Sequence, residues 1–237
     1  MSPVVRSDGT QAVLKIAMPH MEGEHEIQGL RYWGGRSMVR LLEADSESGA
    51  MLLERCLPGS TLRSQPQPEQ DEVIAAVFKR LWNFSPETAA LSGFRPLSQM
   101  IGLWCEETIA ERHLWRDAGL VSEGLRVMKE LAQPTPGDVL LATDLHAGNV
   151  LRAQREPWLA IDPKPFVGDR SYDPVQHLMN CEARLHQNAT GLVERIAGLT
   201  EVDPRRLRLW TFARAAADPR DDWKNDHWLG IARALAP

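Results

Sequence analysis

Residues 139–164, VLLATDLHAGNVLRAQREPWLAIDPK, constrain this chain more than any other stretch. A short apolar run at Val139, Leu140 and Leu141 precedes a polar, glycine-containing loop that begins at Asp144 and ends at Asn149. Apolar character resumes at Val150 and Leu151, breaks at 154–157, and returns from Trp158 to Ile161 just ahead of Asp162. The pattern predicts strand, tight loop, strand, turn, strand. Asp144, Asn149 and Asp162 then stand at strand ends, and folding Ile161 back beside Val150 brings Asn149 and Asp162 together.

Phosphoryl transfer asks for such a set. The transferred group needs little covalent chemistry from the protein, so the site must place an acceptor hydroxyl and screen negative charge with Mg²⁺. Mg²⁺ prefers oxygen ligands, commonly one or two side chains completed by phosphates and water. An Asp, an amide oxygen from Asn, and a separate Asp to receive the hydroxyl proton would suffice. Asp, Asn and Gly also populate ordinary turns for local hydrogen-bonding reasons. A second carboxylate, Asp162, following an apolar strand, tips the reading toward chemistry.

DLHAGNVL followed by WLAIDPKPFVGDRSYD resembles the aminoglycoside and hydroxyurea phosphotransferase family, which includes streptomycin 6-kinases and is similar in fold to protein kinases. The resemblance runs from about Val4 to the last helices and is most specific between Leu140 and Asp173. It implies that Asp144 is the catalytic base and that Asn149 and Asp162 hold Mg²⁺. It implies ATP as the phosphoryl donor and a two-lobed, protein-kinase-like α+β fold with a small β-rich lobe and a larger helical one. Ala142 departs from the pattern, because many relatives carry His two residues before the catalytic Asp. His146 is then a loop-stabilising residue, and Asp173, an N-cap by default, braces the catalytic loop.

Earlier in the chain, Val4, Val5 and Arg6, the turn signal Asp8-Gly9, and the run Ala12 to Ile16 predict a β-hairpin. Lys15 sits among apolar neighbours in its second strand, where a charge on an edge strand is most often only solubilising. By resemblance, it pairs with the nucleotide's α- and β-phosphates. A helix is expected over 20–33, with Glu22, Glu26, Leu30 and Trp33 on one stripe. Glu26 is the chosen partner of Lys15 and Glu22 the alternative. The AVLKI strand starts at Ala12, so a shortened β-lobe without its first strand and phosphate-covering loop is expected. That absence keeps a second reading open, a nucleotide-binding module with little phosphotransferase activity.

Strands are expected at 38–42 and 50–53, around a turn at 45–49. The chain then enters a stretch over 60–69 rich in Ser, Pro and Gln. In kinase-like folds the segment before such a linker reads the adenine edge, which places adenine near Glu54 to Cys56 and a domain boundary near residue 58. The first domain is then 1–58, the nucleotide-binding lobe. The second is 59–237, helical by the spacing of Val73 to Trp82, Leu97 to Ile109, Leu120 to Leu131 and residues 189–236. After Asp162, Pro163-Lys164-Pro165 forms a stiff turn, in which Lys164 either meets a phosphate or balances nearby acids.

Composition narrows the partners. Thirty-two acidic against 27 basic side chains leave a net charge of −5, which argues against nucleic acid. It is compatible with a cationic small-molecule acceptor. The acidic run Asp218, Asp221, Asp222 and Asp226 reads first as a solvated face, and by resemblance as counter-charges lining an aminoglycoside pocket. Cys56, Cys105 and Cys181 show no C-x-x-C spacing, so neither a zinc site nor a disulfide framework is expected, and a reducing cytoplasm is the default. No apolar run reaches the roughly 18 residues of a membrane helix. Streptomycin or a related aminoglycoside is the first acceptor expected, hydroxyurea the second.

Overall fold

A computed structural model describes residues 1–16, 25–84, 88–220, 223 and 226–237. The hairpin forms as its sequence requires. β1 (Ser2–Val5) pairs antiparallel with β2 (Gln11–Ile16), and Gly9 takes a positive φ of 85° in the turn between them. The Asp8 carboxylate accepts the Thr10 N–H at 2.8 Å, the side-chain turn bond that favours Asp there. β4 (Ala50–Glu54) adds to the free edge of β2, and β3 (Leu41–Asp45) to β4, for a sheet order of β1-β2-β4-β3. β2 is therefore an interior strand, and Lys15 faces Met51 across the ladder at 8% exposure. It is not an edge charge.

The strand expected at 38–42 begins later. Met38 and Val39 leave the sheet, and the Val39 N–H donates to the carbonyl of Ala160 at 3.0 Å. α1 (Glu26–Trp33) ends at Gly34 in the left-handed conformation, whose N–H caps the Leu30 carbonyl. Its Gly29 permits close approach, because a Cβ there would lie 2.9 Å from Pro165. Residues 20–24 of the expected helix, Glu22 among them, fall outside the described residues.

The linker expected over 60–69 is more ordered than its composition suggests. The Gly59 N–H donates to the Arg152 carbonyl and the Arg152 N–H to the Ser60 carbonyl, while Thr61 bridges Leu151. α2 (Gln67–Trp82) follows, opened by Pro68 in its first turn, with Ile74, Phe78 and Leu81 buried and Phe78 stacked on Trp82.

Contacts divide the chain into two compact units, residues 1–94 with 140–166 and residues 95–139 with 167–237. This differs from a cut at residue 58, which would put residues 59–94 and 140–166 with the helices; instead Ala160 bonds Ser37 and Val39 ahead of β3, and α2 packs on the strand that carries Ala160. The first unit also contains β6 (Val150–Arg152) paired antiparallel with β7 (Trp158–Ala160). The chain passes between the units three times, after Phe94, within β5 (Val139–Leu141) and within β8 (Phe166–Gly168).

The second unit is helical, built from α3 (Leu97–Ala110), α4 (Ala118–Leu131), α5 (Asp173–Met179), α6 (Glu182–Thr200), α7 (Pro204–Ala217) and α8 (His227–Leu235). α4 packs on α7 at Gly124, where a Cβ would meet that of Ala216 at 2.7 Å. Asp169 anchors the turn before α5. Its carboxylate accepts from Ser171 N at 2.9 Å, Trp210 Nε1 at 2.6 Å and Arg206 Nε at 2.5 Å. One expectation is corrected here: Asp173 is the first helical residue of α5, and Tyr172 is the N-cap. No helix among the described residues is long and apolar enough to cross a membrane.

Candidate active site

The ladder between β6 and β7 sets the site's first dimension. Val150 stands opposite Ala160, and the Ile161 N–H donates to the Asn149 carbonyl at 2.9 Å. The register is one residue from an Ile161–Val150 pairing, yet it still makes Asp162 the next residue beyond Asn149's partner. Asp162 takes a φ of 56°, in the left-handed region that Asp tolerates better than most residues. The Asn149 Nδ2 donates to the Asp144 carbonyl at 2.9 Å. That bond commits the amide nitrogen and leaves Oδ1 as the remaining acceptor, so the five-residue spacing of Asp144 and Asn149 has a structural cause. The loop is closed further by the Gly148 N–H, which donates to His146 Nδ1 at 3.0 Å.

The strip before Asp144 is fastened to the turn after Asp162. The Lys164 N–H donates to the Ala142 carbonyl at 2.9 Å, and the Thr143 hydroxyl donates to the Lys164 carbonyl at 2.5 Å. The Lys164 ammonium lies 3.0 Å from Asp144 Oδ2. Between balancing acids and meeting a phosphate, the contact present is with the acid.

Lys15 reaches into the same site from the sheet. Its ammonium donates to both oxygens of Glu26 at 2.6 Å and pairs with Asp162 Oδ1. Glu26 is 2% exposed. Burial pushes its carboxyl above the usual range, more than the Lys15 ammonium pulls it down. Removing one partner from such a pair leaves an uncompensated buried charge, at a cost of about 3–5 kcal/mol. The Asp162 carboxylate and Asn149 Oδ1 are hard oxygen donors at neighbouring ladder positions, a donor set that suits Mg²⁺.

A cavity of about 180 Å³ adjoins these charges, walled by Val13, Val39, Leu53, Leu151 and Ile161, with Lys15 and Asp162 at its polar side. Glu54, Arg55 and Cys56 also line it. The Glu54 carboxylate is fully engaged. It accepts from Arg155 Nε and Nη2 and from the Arg40 N–H at 3.0 Å. Burial acts against its charge, but these donors outweigh it and hold the carboxyl below the usual range. Burial pushes the Cys56 thiol up to about 11, so it stays protonated at neutral pH. Arg155 also donates to the carbonyls of Gly35 at 2.6 Å and Met38 at 2.8 Å. Sequence reading missed Arg155, since one basic residue in a turn carries no distinguishing signal.

The other candidates belong to the second unit. Asp173 is fully buried. Asp218 pairs with Arg214 at 2.8 Å and Asp226 with Arg116 at 2.7 Å, so each carries its own counter-charge. Asp221 and Asp222 lie outside the described residues.

Comparison with known proteins adds four findings. The family model described as aminoglycoside/hydroxyurea antibiotic resistance kinase matches residues 1–221. The chain is 40% identical over 226 residues to a streptomycin 6-kinase of Streptomyces griseus, covering 90% of this chain and 71% of that one. It is 38% identical over 217 residues to a hydroxyurea phosphotransferase of Kitasatospora aureofaciens, covering 90% and 62%. Among solved structures, an ethanolamine kinase of Plasmodium vivax superposes with a TM-score of 0.63 at 13% identity, covering 98% of this chain and 77% of that one. The fold is that of the kinase-like phosphotransferases, with a sheet-bearing lobe and a helical lobe.

Proposed function

This chain belongs to the aminoglycoside/hydroxyurea antibiotic resistance kinase family, and from that premise we propose that it transfers the γ-phosphoryl group of ATP to a hydroxyl of streptomycin or a related aminoglycoside. One observation carries the reading: Lys15, Glu26, Asp144, Asn149, Asp162 and the cavity all lie within one compact unit, joined by direct contacts.

In this reading the adenine enters the cavity. The Glu54 side chain is committed to Arg155, the Glu54 N–H donates to the Arg40 carbonyl at 2.9 Å, and the Cys56 thiol is protonated, so the backbone groups of Arg55 and Cys56 are the proposed readers of the adenine edge. Lys15, oriented by Glu26, steadies the α- and β-phosphates. Asp162 and Asn149 would hold Mg²⁺, which when bound screens the charge of the transferring group. Asp144 orients the acceptor hydroxyl and takes its proton. His146 keeps the loop closed through Gly148, and Asp173 serves as support.

The acceptor is a small molecule, as for the relatives named above. A polycationic aminoglycoside needs counter-charges, and the acidic run Asp218, Asp221, Asp222 and Asp226 is the proposed source, Asp218 and Asp226 sharing their charge with Arg214 and Arg116. Hydroxyurea is the second acceptor, favoured by the relative from Kitasatospora aureofaciens. Three free thiols fit a reducing cytoplasm.

ADP release measured with streptomycin, other aminoglycosides and hydroxyurea tests the proposal. Streptomycin-dependent turnover is expected. Turnover with hydroxyurea alone would replace the acceptor, and none with any would reject the function.

A further inference from the structure

We infer that Lys164 is a positioning residue for phosphoryl transfer, holding the Asp144 carboxylate in the orientation in which it takes the acceptor's proton. The inference rests on the function proposed above and deepens it. Its first support is the number of ways in which Lys164 meets the strip ending at Asp144. Its N–H binds Ala142, its carbonyl receives the Thr143 hydroxyl, and its ammonium stands 3.0 Å from Asp144 Oδ2. Main chain, neighbouring side chain and charge converge on three successive residues.

Backbone conformation adds a second support. Thr143 has a φ of 48°, a left-handed conformation that a β-branched residue holds only when its surroundings impose it. The bond from its hydroxyl to Lys164 is one such restraint. Lys164 is itself restrained, because Pro163 and Pro165 flank it with fixed φ, and Pro165 packs against Gly29 of α1. The ammonium therefore approaches Asp144 from a rigid turn. The pair is sheltered too, with side-chain exposures of 31% for Lys164 and 18% for Asp144.

The chemistry gives this arrangement a use. During transfer a bond forms between the acceptor oxygen and the γ-phosphorus. The bond from that phosphorus to the β–γ bridging oxygen breaks, its electron pair leaving with ADP, and the acceptor's hydroxyl proton goes to Asp144. A carboxylate free to swing would meet the hydroxyl in few of its orientations. With Lys164 on Oδ2 the carboxylate plane is set before the acceptor arrives. Once the proton is taken, the ammonium loses its counter-charge beside the new phosphate ester, a favourable place for it.

Steady-state kinetics with ATP and streptomycin, or with hydroxyurea should that be the acceptor, on Lys164→Met, Lys164→Arg and the double variant with Asp144→Asn test this. Lys164→Met is expected to lower kcat by about tenfold to a hundredfold, the scale of a misplaced reacting group, with ATP affinity and the thermal midpoint little changed. Lys164→Arg should recover part of the loss. In the Asp144→Asn background Lys164→Met should cost nothing more, because it acts through Asp144. Unchanged kcat in Lys164→Met, an equal loss in both backgrounds, or a rise in ATP KM with kcat intact would each overturn the inference alone. A wild-type chain that phosphorylates no acceptor overturns the function and this inference together. If Lys164→Met fails to fold, Lys164→Arg and its double variant decide by the same comparison.

Discussion

The Arg155 guanidinium grips the Glu54 carboxylate with two prongs, Nε at 2.9 Å from Oε1 and Nη2 at 2.8 Å from Oε2, across 101 residues of sequence. The same guanidinium donates to Gly35, Met38 and Glu156. The turn between β6 and β7 is thereby tied to the end of β4, where the cavity is lined by Glu54 to Cys56. A planar, fork-shaped donor set is what Arg supplies and Lys cannot.

Arg155→Met should therefore destabilise the protein by about 2–3 kcal/mol, because it leaves a half-buried carboxylate and two carbonyls short of donors. It should also raise the KM for ATP more than it lowers kcat. Urea unfolding and nucleotide titration check both. A loss under about 0.5 kcal/mol would mean that the pair behaves as an exposed ion pair.

Glu54 also predicts a pH dependence. Its folded-state carboxyl lies below the ordinary value of 4.5, so its contribution is present above that value and is lost as pH falls through the lower folded one. The wild type should lose stability on acidification below about pH 5 more steeply than Glu54→Gln. Glu26 acts in the opposite sense and in a different window, since its carboxyl is raised and its contribution is present below the ordinary value of 4.5 and lost as pH rises from there through the higher folded one. The comparison is therefore between wild type and Glu54→Gln, which share Glu26. Parallel acid limbs in the two would argue against the depressed carboxyl.

Asp144→Asn keeps the shape of the loop and removes the proposed proton acceptor. Turnover should fall by roughly two to four orders of magnitude, the range for loss of a general base, while ATP still binds. Near wild-type turnover would take Asp144 out of that role.

Asp162→Asn removes the charge of the proposed Mg²⁺ ligand and one of the two carboxylates on Lys15. ATP binding in the presence of Mg²⁺ should weaken, and binding without metal should change little. Titrations with and without Mg²⁺ separate the effects, and equal losses under both conditions would point to the Lys15 contact instead of a metal.

Much of this was readable along the chain because the signals are local. Asp8-Gly9 names its turn, alternating and periodic apolar residues name strands and helices, and Asp144, Asn149 and Asp162 are set by strand ends that follow from residues beside them. Glu26 was chosen for Lys15 by helical stripe, and the two side chains do meet. Other features depended on how distant segments return to one another. Met38 read as strand in the sheet but lies opposite Ala160 instead, which bonds its neighbours Ser37 and Val39, because a partner far away in sequence competed for this backbone. Asp173 read as an N-cap and is a buried first-turn residue. Lys164 had two readings that spacing could not separate. Arg155 had none, although it joins Glu54 to the turn between β6 and β7. Periodicity reports which face of an element is apolar, and nothing in it says which cation will find which anion. That pairing is decided by tertiary packing, where burial makes an unmatched charge costly enough to select one partner.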